Sequence, residues 1–190
     1  MENQNGANNK MVIPAFKQIP KIELDMNASK EAEARFIEAK DVNPITYAEL
    51  EHVFGASFQE LKRHHSTVTY QLEMANKALA QAKSDVLLDK YPDFLAQKTA
   101  EAKEKGVKFQ DSADHREAYL IRDQAYLEAY DRVAMLKAVE SFIDGRIKVI
   151  ENISRYMKKR MDLVIRSGLS NSDLYITGGK KWKSDSRLRS

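Results

Sequence analysis

Between Tyr47 and Val86 the apolar residues recur at spacings of three and four, and few folds accommodate such a run. Tyr47, Leu50, Phe54, Phe58, Leu61, His65, Val68, Leu72, Ala75, Leu79, Ala82 and Val86 keep this period, with one stutter between Leu50 and Phe58. At 3.6 residues per turn they form one stripe along a helix. A second run has the same period: Ile121, Ala125, Ala129, Val133, Leu136, Val139, Ile143, Ile147, Ile150, Ile153, Met157, Met161 and Val164. A helix over 46–90 is roughly 65 Å long at 1.5 Å per residue. Its stripe stays wet unless something of similar length covers it. Two matched runs therefore predict an all-α chain built on a long antiparallel helical hairpin.

The boundaries come from local chemistry. Thr46 and Glu49 stand in capping-box relation, so the first long helix is expected to begin there. Pro92 interrupts the pattern after Tyr91, and a polar helical segment follows until Gly106, a glycine suited to end it. Residues 107–113 are the expected reversal. A second capping signature at 114–117 opens a helix that should stop near Ser167–Gly168. Ahead of the hairpin, a short helix fits 29–40, with Asn43-Pro44 ending it. Residues 1–27 read as an extended arm broken by Pro14 and Pro20. Its apolar residues are too many for a solvated tail, and Ile13, Phe16, Ile19 and Ile22 are expected at a homo-oligomer interface. The expected organisation is arm 1–27, hairpin domain 28–168 and basic tail 169–190.

Several chemistries are excluded. There is no cysteine among the 190 residues, hence no disulfide and no thiolate ligand or nucleophile. His52, His64, His65 and His115 make no HExxH pair, so no zinc site or other cofactor is expected. His64 and His65 point about 100° apart on a helix, which predicts His65 on the apolar seam and His64 in water. Gly178-Gly179-Lys180 lacks the spacing of a phosphate-binding loop. No nucleophile has a base in reach, and the chain reads as a non-enzyme. No apolar run approaches the roughly 18 residues of a membrane span, and the first residues lack the features of a secretory signal. A cytoplasmic protein is the expectation.

Charge then points to a partner. The net formal charge is only +3, but from Arg146 onward Lys and Arg outnumber Asp and Glu by 12 to 4. Arg146, Lys148, Arg155, Lys158, Lys159, Arg160 and Arg166 run along the end of the second helix, a pattern that can hold phosphates without reading bases. In the tail, Trp182 lies among Lys180, Lys181 and Lys183, where a base can stack on the ring while cations track the backbone. A solvated charged face and a helix-dipole effect give the same pattern.

The stretch 114–161, DHREAYLIRDQAYLEAYDRVAMLKAVESFIDGRIKVIENISRYMKKRM, resembles the C-terminal helix of the UvsY-type recombination mediators of T-even-like phages. It shares their charged lead-in, a D…L…D segment, an apolar middle and a basic helix end. The resemblance covers roughly 55–162. It implies a small oligomeric protein that binds single-stranded DNA, contacts the single-strand-binding protein and helps load the recombinase. The family's DNA-contacting cations lie late in the first helix, where this chain has Lys77, Lys83 and Lys90, with Ser84-Asp85 departing from the family pattern. Lys83 joins the expected nucleic-acid contacts on that ground. The rival class is a phage virion or assembly component that uses hairpin, arm and tail for subunit contacts.

Overall fold

A computed structural model of the chain describes residues 10–17, 19–39 and 43–177, and side chains through residue 168. The chain is mostly helical, with one small sheet. In order it forms β1 (Lys10–Ile13), β2 (Ile22–Asp25), α1 (Asn27–Glu38), α2 (Pro44–Asp85), a π-helical turn (Val86–Lys90), α3 (Tyr91–Glu104), α4 (Ala113–Leu120) and α5 (Gln124–Thr177). Among the described residues no helix is long and apolar enough to cross a membrane. Two compact units are present. The first joins the described residues up to Asn27 with Gln59–Ile147, and the second joins Ala28–Phe58 with the described residues from Lys148.

In the first unit the expected extended arm is a β-hairpin. Its strands pair antiparallel, with Met11 opposite Leu24 and Ile13 opposite Ile22. Phe16 and Ile19 exchange backbone hydrogen bonds of 2.9 and 2.8 Å across a tight turn, and Lys17 there takes a φ of 50°. Strand periodicity puts Ile13 and Leu24 on one face, where both are fully buried, and leaves Val12 and Glu23 exposed on the other. Ile13 and Ile19, expected at a subunit interface, are therefore buried by the chain itself. Phe16 and Ile22 are half-buried.

The hairpin also changes which histidine of α2 is inside. Phe54, Leu61, Val68, Ala75 and Ala82, seven apart, are all buried as expected. The flanking buried positions are Ser57, His64 and Gln71, one residue before the expected Phe58, His65 and Leu72, which are only half-buried. His64 is the buried histidine, and His65 pairs with Asp144 of α5 at 3.1 Å. For His64 the physical reason is the neighbour. A strand offers backbone carbonyls that need donors, and His64 Nε2 lies 2.7 Å from the Asp25 carbonyl. A carbonyl only accepts, so Nε2 carries the proton. Arg132 of α5 does the same for the Pro14 carbonyl at 2.6 Å, with its guanidinium 5.9 Å from the Phe16 ring. Burial disfavours the Arg132 charge and lowers its pKa, and its Nε and Nη2 are buried without a hydrogen-bond partner among the described residues.

α2 and α5 run antiparallel in this unit, fixed by Thr69 donating to Glu140 at 2.7 Å and by the His65–Asp144 pair one turn away. Ala129, Leu136 and Ile143 supply the α5 side of the core.

Pro92 does not stop the helix. The preceding turn widens, so that the Tyr91 amide reaches the Val86 carbonyl five residues back, and Pro92 falls in the first turn of α3. No intrahelical donor is required there, and the extra residue brings both Val86 and Tyr91 inward. Gly106, at φ 68°, ends α3 as expected; its amide and that of Val107 reach the Lys103 and Ala102 carbonyls. The expected single helix from 114 is two. Ser112 caps α4, the chain turns at 121–123, and Asp123 caps α5 by accepting from the Tyr126 amide at 3.1 Å. The Asp123 carboxylate also holds Lys90, and Tyr91 donates to Asp111, which pairs with Arg116. Tyr91, Phe94 and Tyr119 stack between these pairs, with centroids 4.7 to 5.8 Å apart.

In the second unit α2 begins earlier than the Thr46 signature implies. Asn43 is the cap: its Oδ1 accepts from the Ile45 and Thr46 amides at 3.0 Å, and the Thr46 hydroxyl accepts the Asn43 amide at 2.9 Å. Asn43-Pro44 thus opens α2, with proline at the first helical position. α1 covers this end of α2 and α5 through Phe36, whose ring meets Phe54 and Tyr156 edge-on at 6.3 and 6.0 Å. Ile150, Met157 and Met161 are buried. α5 continues to Thr177, past its expected end, because Gly168 does not take the left-handed conformation that stops a helix. The expected tail 169–190 therefore begins within α5.

Candidate nucleic-acid interface

The structure brings part of the expected cationic set together. Lys148, Arg155, Lys158, Lys159 and Arg160 all lie on α5 in the second unit and are all exposed. Arg155 donates to Asn152 at 3.4 Å, and none of the five enters an ion pair among the described residues. Over 148–168 there are six cations against two carboxylates. In the first unit Lys90, Lys98 and Arg116 are instead held by carboxylates. A lysine or arginine with no internal counter-charge keeps its full field for a mobile anion or an anionic partner.

The five cations surround the helix rather than lining one edge. At 100° per residue, Arg155 and Lys158 face one side, toward α2, and Arg160 faces another. Arg155 and Lys158 border a groove of about 470 Å³ whose other residues include Tyr47, Phe54, Phe58, Glu51 and Glu151. Gly55 opens its wall, since a Cβ there would meet nothing within 4 Å. Tyr47 donates to Glu51 at 3.4 Å, and its phenol is pushed above the usual pKa first by burial and then by the Glu51 charge. The groove thus offers aromatic faces beside two cations, tempered by two carboxylates. Aromatic rings beside cations suit unstacked bases.

The remaining expected residues fall elsewhere. Lys83 is exposed in the first unit, in a hollow of about 430 Å³ that also includes Arg116, Glu117 and Tyr126. Arg146 is half-buried in the first unit. Lys180, Lys181, Trp182 and Lys183 lie outside the described residues. Among the described residues no group of three His, Asp or Glu is placed to hold a metal ion.

Sequence reasoning missed one surface feature, the exposed line of Val149, Tyr156 and Leu163 on α5. Its signal was present: the three are seven residues apart, outside the stripe that forms the core. Comparison of the chain with protein families, with characterised proteins and with solved structures gives no match.

Proposed function

We propose that this chain is a non-enzymatic, oligomeric single-stranded-DNA-binding protein that acts as a recombination mediator, holding phosphates with the unpaired cations of α5 and assisting recombinase loading. One observation carries the reading: Lys148, Arg155, Lys158, Lys159 and Arg160 fall within 13 residues of one helix, and none of them enters an ion pair among the described residues. Releasing counterions from a nucleic-acid backbone rewards such a cluster. The aromatic groove beside Arg155 and Lys158 favours single strands over duplex, because only unpaired bases offer their faces. The resemblance of 114–161 to UvsY-type mediators gives the DNA-binding activity its biological role, with a single-strand-binding protein and a recombinase as partners.

The exposed Val149, Tyr156 and Leu163 favour a second reading, a phage virion or assembly component whose contacts are with protein subunits. Titration of the purified chain into labelled single-stranded and duplex oligonucleotides, with light scattering alongside, separates the two. The mediator reading expects tighter binding to single strands and a particle larger than a monomer. No binding to either oligonucleotide at low salt refutes it and leaves the structural reading.

A further inference from the structure

We propose that the ridge of Val149, Tyr156 and Leu163 on α5 is a docking surface for an acidic amphipathic helix of a partner protein. The inference does not rest on the nucleic-acid reading.

The three side chains are 41%, 50% and 61% exposed, too much for core residues and too regularly placed for scattered surface apolars. A spacing of seven keeps them on one line of a helix, and Asn152 and Lys159 interleave to give the alternation of three and four that a second helix packs against. Tyr156 is already positioned, because its ring rests edge-on against Phe36. The ridge therefore needs little ordering before it is covered.

Charge selects the occupant. Lys148, Lys159 and Arg160 flank the ridge, all exposed and none in an ion pair among the described residues. The two carboxylates of this stretch, Glu151 and Asp162, lie about 120° or more round the helix from Tyr156. A second copy of this chain laid ridge to ridge sets cation against cation. A nucleic acid finds only one ring, since Val149 and Leu163 offer no face for stacking. A helix with apolar residues at the same spacing and glutamates beside them satisfies both the ridge and its rim. Lys158, on the groove, is about 160° from Tyr156, so the groove and the ridge face different ways.

The test uses the full chain and two labelled synthetic helical peptides. Both carry leucines in the same alternation, one flanked by glutamate and one by lysine, and binding is read by fluorescence anisotropy. The Glu-flanked peptide is expected to bind and the Lys-flanked one not. Val149→Ser with Leu163→Ser should weaken the Glu-flanked peptide by at least about tenfold, with unchanged circular dichroism and unchanged oligonucleotide binding. Lys148→Glu with Lys159→Glu and Arg160→Glu should invert the peptide preference. Equal binding of the two peptides, or indifference to the serine substitutions, overturns the proposal. It is also overturned if the serine substitutions release DNA, which makes nucleic acid the occupant, or convert an oligomer to monomer, which makes a second copy the occupant.

Discussion

Replacing His64 with leucine separates two registers of the same helix. The Nε2–H of His64 satisfies the Asp25 carbonyl at 2.7 Å in a position only 6% exposed. Leucine fills a comparable volume, so little cavity forms, but the carbonyl loses its donor. The bond is part-buried, and an acceptor shielded in this way and left without a partner costs up to about 1–3 kcal/mol. His65 is the control. Its side chain is 30% exposed and pairs with Asp144, itself 50% exposed, an interaction worth about 0–1 kcal/mol. Urea unfolding followed by circular dichroism at pH 8 measures both. With a slope of roughly 2 kcal/mol per M, His64→Leu should lower the midpoint by about 0.5–1.5 M, and His65→Leu should lower it by less than about 0.5 M. The apolar pattern of the sequence points the other way, with His65 inside. Equal losses, or a larger loss for His65→Leu, refute the account of a hairpin whose carbonyls are served by polar side chains of the helices.

Three further outcomes follow from the same geometry. Ile143→Ala, at a position 0% exposed, should cost about 2–5 kcal/mol through lost burial and a residual cavity; a urea midpoint within error of the parent contradicts the α5 core assignment. Gly106→Ala, at φ 68°, should destabilise by about 1 kcal/mol because a Cβ disfavours the left-handed cap, and an increase in melting temperature contradicts it. Asp111 is held below the usual carboxylate range first by Arg116 and then by Tyr91, and Asp123 first by Lys90 and then by the Tyr126 amide. A carboxylate whose pKa falls on folding stabilises the native state fully above its unfolded value, about 3.9, and loses that stabilisation as pH drops through the lower folded value. The urea midpoint should therefore decline below about pH 4, and Asp111→Asn with Asp123→Asn should flatten that decline; an unaltered acid limb counts against both pairs.

The helical class was legible because apolar periodicity survives any choice of partner: Phe54, Leu61, Val68, Ala75 and Ala82 are buried whichever surface covers them. The flanking positions were not. Whether Ser57, His64 and Gln71 or Phe58, His65 and Leu72 turn inward depends on what lies beside the helix. The β-hairpin that receives His64 and Arg132 hides in a segment with two prolines and no helical period. Pro92 reads as a break, yet a proline is tolerated in the first turn of a helix, where the π-helical turn places it. Asn43-Pro44 reads as a stop for α1 and serves as the start of α2, since the same cap-and-proline pair suits either side of a loop. Of the cationic set, the cluster on α5 was readable as a charge run. That its members form no ion pair among the described residues was not, because pairing depends on neighbours from other elements.

The central claim, that the cationic end of α5 holds a single-stranded nucleic-acid backbone, is tested most directly by the salt dependence of binding. Plotting log Kd against log salt for a labelled single-stranded oligonucleotide counts the phosphates neutralised, at about 0.7 per contact. Lys158→Gln with Lys159→Gln and Arg160→Gln should weaken binding for every sequence and reduce the slope by roughly 2. Helical content should hold, since glutamine is a good helix former. A triple variant that binds as tightly as the parent, with the same slope at every salt concentration, contradicts the claim.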